Sequence, residues 1–297
     1  MATTTYAQKG RKQELSDIVD NISPKTTPFQ AMIGSTPVKS KLFEWTEEAL
    51  SNPKDNAAVE GADAGEGDDN ILAEKQNYTQ IFTKTVKLTG TSQANQLAGN
   101  VQTMAHQVAL RAAELKKDIE YAYLGTGQIA NAGSSAAARR TAGYQAQAST
   151  VVDLDGPLTE DALEDVLLTI MEAGGTPDVV MAHPRLISAL ARTVSGDRIR
   201  EATDVSSKLN TKVVKFISNA GEVEFHPNLF CKWDTASKTG DVMVFDSSKW
   251  DECVLRPYKV EELAKTGDSD AKLLVVEKGL KCRASKSAGL ITNVKLA

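Results

Sequence analysis

The sequence predicts an α+β protein with one dominant helix, and three observations carry that expectation. Apolar residues recur at steps of three and four from Leu97 to Ala122, and short β-branched and aromatic runs punctuated by Gly and Pro fill the second half. Between two strand-like runs of the first half lies a stretch, 52–70, of Gly, Ala, Asn and Asp with almost no large apolar side chain.

Taken in order, residues 1–40 are polar and broken by Pro24, Pro28 and Pro37, which forbid a long helix or a central strand, so this part reads as an arm lying across other structure. Within it Leu15, Ile18, Val19 and Ile22 make one short amphipathic stretch at helical spacing. Leu42–Trp45 begins a strand and Tyr78–Leu88 returns as another. The composition of 52–70 cannot build its own core, so a long hairpin with a mobile acidic tip is expected. Next, Leu97, Val101, Met104, Val108, Ala112, Leu115, Ile119 and Ala122 line one face of a helix expected from about Ala94 to Leu124, roughly 45 Å long at 1.5 Å per residue. Lys116 and Glu120, four apart, are expected to pair on its exposed face, and Gly125 and Gly127 to end it.

Residues 128–149 read as a loop with a basic pair, Arg139 and Arg140. Thr159 then caps a helix whose first turn holds Glu160 and Asp161, whose apolar face is Leu163, Val166, Leu167, Ile170 and Met171, and which stops at Gly174 and Gly175. Asp178–Ala182 is a short buried strand, and Pro184 starts a helix through Leu186, Ile187 and Leu190. Val213–Ile217, Val223–Phe225, Val242–Phe245, Cys253–Leu255, Leu273–Glu277 and a return from Leu280 to Ile291 complete the strands.

Composition excludes several classes. With 297 residues there is room for one large or two ordinary domains at about 150 residues each. Hydrophobic residues at 41% and charged residues at 25% sit near the globular average, so neither a disordered chain nor a coiled-coil rod fits. Lys and Arg number 34 against 39 Asp and Glu, a net charge of -5, and aromatics are 5%; a dedicated nucleic-acid binder needs clustered cations and stacking platforms that this balance lacks. No apolar run of about 18 residues exists and Met1–Gly10 is polar, so neither a membrane span nor a signal peptide is expected and the protein is placed in a cytosol-like compartment. Cys231, Cys253 and Cys282, odd in number and far apart, read as reduced, buried thiols.

Catalytic motifs fail on context. Gly125, Gly127 and Ala130 match G-x-G-x-x-A, yet they follow a helix, where a phosphate would meet the negative end of the dipole. Asp63 and Glu74 stand at the first and twelfth positions of a calcium loop, but Gly65 and Gly67 bring no side-chain oxygen and Asp68 sits where the turn needs glycine. His106, His183 and His226 are scattered, with no H-E-x-x-H, C-x-x-C, G-x-S-x-G or S-x-x-K context, so no catalytic, metal or cofactor site is expected.

The order of parts, together with a series of short elements, then becomes informative. Thr27-Pro28-Phe29, Met32-Ile33-Gly34, Glu44-Trp45, Glu60-Gly61-Ala62-Asp63, Asn77 to Ile81, Gly90-Thr91, Glu114 to Glu120 and Ala138-Arg139-Arg140 with Gly143 span the first half in sequence. This series resembles the major capsid proteins of tailed double-stranded-DNA phages, of the Hong Kong 97 type fold. In the second half the resemblance rests on element pattern, as in Asp178 to Met181 with Pro184 soon after.

The resemblance implies an N-terminal arm at 1–40, an extended β-hairpin loop at 41–92, a spine helix and peripheral-domain segment at 93–157, an axial domain at 158–245 and peripheral return strands at 246–297. It implies a structural, non-enzymatic subunit that assembles with itself into hexamers and pentamers of an icosahedral head in the host cytoplasm and ends in the virion. No membrane and no cofactor is involved, and the packaged DNA is contacted nonspecifically. A cleaved scaffolding segment has no room before the arm, so a separate scaffolding protein and a portal are the expected partners. Phe29, Trp45, Glu60, Asp63, Asp68, Asp69, Tyr78 and Phe82 are the expected inter-subunit contacts. Some members cross-link a lysine to a neighbour's asparagine, and Lys54, Lys75 and Lys84 are placed in the hairpin, with nothing in the sequence marking one as reactive. An encapsulin-like compartment of the same fold is the alternative, with a soluble enzyme or binding module behind it.

Overall fold

The computed structural model of the protein describes residues 26–48, 50, 53–57, 60, 61, 63, 72–94, 103–193, 199–202, 213–218, 221–265 and 267–296. The first half runs α1 (Pro28–Met32), β1 (Gly34–Pro37), β2 (Leu42–Glu47), β3 (Ala73–Tyr78), β4 (Gln80–Thr89), α2 (Gly90–Ala94) and α3 (Met104–Leu124). Then follow β5 (Thr150–Asp153), α4 (Glu160–Glu172), β6 (Val179–Ala182), α5 (Pro184–Thr193), β7 (Ile199–Ala202), β8 (Val213–Ser218) and β9 (Gly221–Pro227). The chain closes with β10 (Trp233–Asp234), β11 (Thr239–Phe245), β12 (Trp250–Glu262), β13 (Ser269–Cys282) and β14 (Ala288–Lys295).

These strands form three sheets. The larger one has the order β5-β14-β11-β6-β9-β8-β7, with β10 beside β11. Its central strands are short apolar runs because both faces are covered, and the period of two divides each run between two cores. Val179, Met181, Met243 and Phe245 point to the core shared with α3, whereas Val180, Ala182, Val242 and Val244 point to the core closed by α4 and α5. The second sheet, β1-β12-β13-β4, packs against α3 through Phe82, Val86, Leu274 and Val276. The third is the two-stranded hairpin of β2 and β3 alone, its strands in register from Leu42–Tyr78 to Glu47–Ala73.

Several expectations are corrected. The long helix begins at Met104, not near Ala94: Thr103 has extended backbone and its hydroxyl accepts the His106 N–H at 3.3 Å, a cap that defines a start. Its 21 residues span about 31 Å. Ala94 ends the separate α2, and Leu97 and Val101 lie outside the described residues. The Tyr78–Leu88 run is broken at Thr79, so that β3 stays in the hairpin while β4 joins β13. The run from Leu280 to Ile291 is likewise two strands, parted by a turn at Ser285–Ser287.

Other corrections concern surfaces. The last strand, β14, lies in the larger sheet between β5 and β11, so residues 246–297 divide between the two large sheets. Met171 is 48% exposed, because α4 meets the sheet through Leu163, Val166, Leu167 and Ile170 alone. Lys116 and Glu120 do not share an exposed face, since Glu120 is fully buried. Nor is Lys84 a hairpin residue: it sits in β4 and pairs with Asp118 of α3 at 2.7 Å.

Candidate functional site

Chemistry in the structure concentrates where the arm and the hairpin are fastened to the body. The first fastening is made by Glu120, buried near the end of α3. Its carboxylate accepts the Phe29 N–H at 2.8 Å, the Gln30 N–H at 3.1 Å, the Gln30 side-chain amide at 2.9 Å and the Asn228 side-chain amide at 2.8 Å. Two of these donors are backbone groups in the first turn of α1 that no helical carbonyl can satisfy. Burial pushes the Glu120 carboxyl up, and the four donors pull it back only in part. Beside it, the Phe29 ring lies edge-on to Tyr123, Tyr144, Phe245 and Trp250, with ring centroids 5.5 to 6.4 Å away.

The hairpin is fastened by a second set. Asn77, fully buried, donates to the Leu280 carbonyl at 2.6 Å and to the Thr141 hydroxyl at 3.1 Å, and accepts the Ala142 N–H at 2.8 Å. Two residues on, the Thr79 hydroxyl donates to Glu277 at 2.8 Å, while the Thr79 carbonyl accepts from Arg139 Nε at 2.5 Å. Glu277 is buried and holds two guanidinium groups, Arg139 directly and Arg256 at 2.7 Å. At the end of β2, Glu47 accepts from the backbone and hydroxyl of Ser285 at 3.0 and 2.7 Å. Gly279 completes the joint, because a Cβ there would lie 2.7 Å from the Phe43 ring and 2.9 Å from the Tyr78 carbonyl. Apart from Arg256–Glu277, these hydrogen bonds join residues at least 60 apart in the chain, and each of the polar groups named has a partner in a site where an unpaired one would be costly.

Beyond the joint, the hairpin projects. Leu50 is 87% and Leu72 54% exposed, and Glu60 and Asp63 are exposed as well. Trp45 is half-buried, stacked on Phe43 at 5.9 Å with the Lys281 ammonium over its ring, and Tyr78 is half-buried. Asp68 and Asp69 lie outside the described residues. Phe29 and Phe82 were expected at inter-subunit contacts; both are buried inside this subunit and have no free surface to offer a neighbour. Sequence reasoning places Glu120 on an exposed face and gives Asn77 and Glu277 no role; a lone carboxylate in the apolar run Ile119 to Leu124 is the signal that points to a buried Glu120.

The remaining reactive groups are dispersed. Cys253 and Cys282 are buried with thiols pushed up to about 12, and burial raises the Cys231 thiol further. His183 stacks on Trp233 at 5.0 Å and burial lowers its pKa, His226 meets Glu224 at 3.3 Å, and His106 is exposed in the first turn of α3. Among the described residues no three His, Cys, Asp or Glu side chains gather to hold a metal ion, and no helix is long and apolar enough to cross a membrane. Gly125, the first glycine of the apparent nucleotide motif, caps the C-terminus of α3.

An arm latched by a helix, a projecting hairpin and two large sheets with a long helix against one of them make a recognisable set. The family described as SU10 major capsid protein matches residues 2–295. The chain belongs to that family. A curated relative, the major capsid protein of Escherichia phage Phieco32, is 25% identical over 347 residues, covering 97% of this chain and 95% of its own. Among solved structures, the capsid of a native GTA particle has a TM-score of 0.67 at 8% identity, covering 98% of this chain and 96% of the other. The structure titled Gordonia phage Cozz has a TM-score of 0.63 at 15% identity, with 95% and 91% covered. The holo-SrpI encapsulin complex from Synechococcus elongatus PCC 7942 scores 0.67 at 13% identity over 100% and 98%. At such identities the structures carry the fold alone, the Hong Kong 97 type. It is the family match that makes this chain a phage major capsid protein, a self-associating structural subunit of the virion.

Proposed function

We propose that this capsid subunit closes into hexamers and pentamers of an icosahedral head around double-stranded DNA, assembled in the host cytoplasm with a separate scaffolding protein and a portal, and that it has no catalytic role. The observation that carries this reading is the hairpin, whose base is bound into the body by Asn77, Thr79 and Glu277 while its distal residues Leu50, Glu60, Asp63 and Leu72 face outward. A rigid base with an apolar and acidic far end suits a projection that finds its partners on the next subunit. Trp45, Tyr78, Glu60 and Asp63 remain the proposed inter-subunit contacts, together with Asp68 and Asp69.

The proposed division of the chain follows the sheets. Residues 26–40 are the end of the arm and 41–92 the extended loop with its anchoring strand. The peripheral part combines 93–149 with 246–284, and the axial part combines 150–245 with 285–297. Supporting this division is the pairing of β14 with β5 and β11, which ties the chain's end to the larger sheet. A net charge of -5 suits a container that encloses DNA without gripping it.

Electron microscopy of the purified full-length protein, expressed with and without its candidate scaffold, tests the assembly. Capsomer rings or closed shells are the expected result. Discrete particles of one subunit under every condition would overturn it.

A further inference from the structure

The loop that joins β5 to α4 carries the one Asp-Gly step of the chain, Asp155-Gly156, and the sequence has no Asn-Gly step at all. Asp155 is held at φ 42°, in the left-handed region that a residue with a Cβ seldom adopts. Its side chain is 76% exposed and meets the Lys295 ammonium at 2.7 Å, a pair half open to water and so weakly held. The Gly156 N–H has no acceptor among the described residues, while the Gly156 carbonyl accepts the Lys295 N–H at 2.8 Å.

Around this step the end of β14 is clasped to the loop. The Leu154 N–H donates to the Thr292 carbonyl at 3.2 Å, the Asn293 side-chain amide donates to Asp153 at 2.9 Å, and Pro157 forms a parallel bridge with Lys295. The clasp closes only if the backbone from Asp153 to Pro157 keeps its spacing. We infer that Asp155 is a site of spontaneous isomerisation to isoaspartate, and that the change opens this clasp.

The reaction is internal to two adjacent residues and uses only water. With the Asp155 carboxyl protonated, the Gly156 nitrogen attacks Cγ. The N–Cγ bond forms, the Cγ–OH bond breaks, and the hydroxyl leaves with the amide proton as water, giving a five-membered succinimide. Water then adds to the main-chain carbonyl carbon of Asp155 and the bond from that carbon to nitrogen breaks. The nitrogen recovers a proton and the old main-chain carbonyl becomes a free carboxylate, so the mass is unchanged while the chain now runs through Cβ and Cγ. Glycine at 156 matters because the absence of a Cβ lets its nitrogen approach Cγ. The free N–H matters because a bonded amide would first have to give up its acceptor. The product has one more backbone bond between Leu154 and Gly156, which moves the Gly156 carbonyl off the Lys295 N–H.

Ageing of the full-length protein tests this. The protein is kept in mildly acidic buffer made with heavy-oxygen water, digested with trypsin, and the fragment 141–185 is mapped for isoaspartate. Isoaspartate carrying one heavy oxygen is expected at Asp155, roughly tenfold faster than at Asp153, Asp161, Asp165 or Asp178 of the same fragment. Gly156→Ala, whose added Cβ lies in ordinary contact 3.4 Å from the Leu154 carbonyl, should slow it by a similar factor with the fold unchanged. No isoaspartate at Asp155, a rate equal to that of the other aspartates, or an unchanged rate in Gly156→Ala overturns the inference. Hydrogen exchange on the separated isoaspartate form reads the clasp: residues 293–296 should exchange faster with β6 and β11 unchanged, and unaltered exchange at 293–296 overturns its opening.

Discussion

At the scale of single residues, the carboxylates that matter are buried ones with several donors. Glu120 holds backbone and side-chain groups of the arm and the Asn228 amide, so Glu120→Ala strands four donors in a dry site. Such a change should cost roughly 3 kcal/mol in urea denaturation, with α1 the first element to lose exchange protection. The pH dependence has a definite sign. Because burial raises the Glu120 pKa in the folded protein, the proton is held more tightly there than in the unfolded chain. Its contribution is whole below the unfolded carboxylate pKa and declines as pH rises through the folded one. Relative to Glu120→Ala, the wild type should therefore gain stability between pH 7 and pH 5; a margin that widens with rising pH would contradict the burial argument. Glu277 faces two guanidinium groups, and Arg139→Ala should loosen the hairpin base more than Arg256→Ala, whose side chain is half exposed.

At the scale of elements, the hairpin and α3 are held by packing and not by their own propensities. β2 and β3 form a two-stranded ribbon, which would be marginal if isolated, so its order depends on the joint with β13. Gly279→Ala should open that joint, because the added methyl meets the Phe43 ring and the Tyr78 carbonyl, and the carbonyl cannot rotate away. The expected result is faster hydrogen exchange throughout β2 and β3 with little change in the larger sheet. In α3, Leu115 is fully buried whereas Val108 is only partly covered by the described residues. Leu115→Asp should then cost several kcal/mol and give insoluble protein, and Val108→Asp should be the milder change by solubility and thermal melting.

At the scale of the whole molecule, the acidic hairpin tip offers almost no apolar area of its own to bury. Asp55, Glu60, Asp63, Glu66, Asp68 and Asp69 accompany one cation, Lys54, within residues 52–70. If the tip is ordered in a shell, fixing about twenty residues costs on the order of 20 kcal/mol in backbone entropy, and many repeated contacts with neighbours would have to offset it. Replacing 52–70 with a short Asn-Gly turn should leave a soluble, folded subunit that forms no stable shells in sedimentation and electron microscopy. Shells of wild-type heat resistance from that variant would remove the role of the tip. Exposed apolar residues such as Leu50 and Leu72 stand on the projection, while the joint beneath is made by partnered polar groups such as Asn77 and Thr79.

What the sequence by itself determined was local in origin: the caps at Thr159 and Pro184, the apolar face of α4, the core-facing C-terminal half of α3, the short buried strands at 179–182 and 242–245, and a hairpin with a coreless tip. Each follows from a period of 3.6 or 2, or from a residue that starts or stops an element. Tertiary structure alone decided which sheet each strand joins, why the run after Tyr78 breaks at Thr79, and that β14 belongs with β5 and β11. It also decided that Glu120 faces inward. The end of α3 is buried on almost every side, through Ile119, Glu120, Ala122, Tyr123 and Leu124, so a two-sided helical wheel has no valid reading there. Periodicity reports that a face is covered and is silent on what covers it. The covering groups lie about 60 to 200 residues away, where loop closure costs only the logarithm of the separation and any of many partners is affordable to the chain.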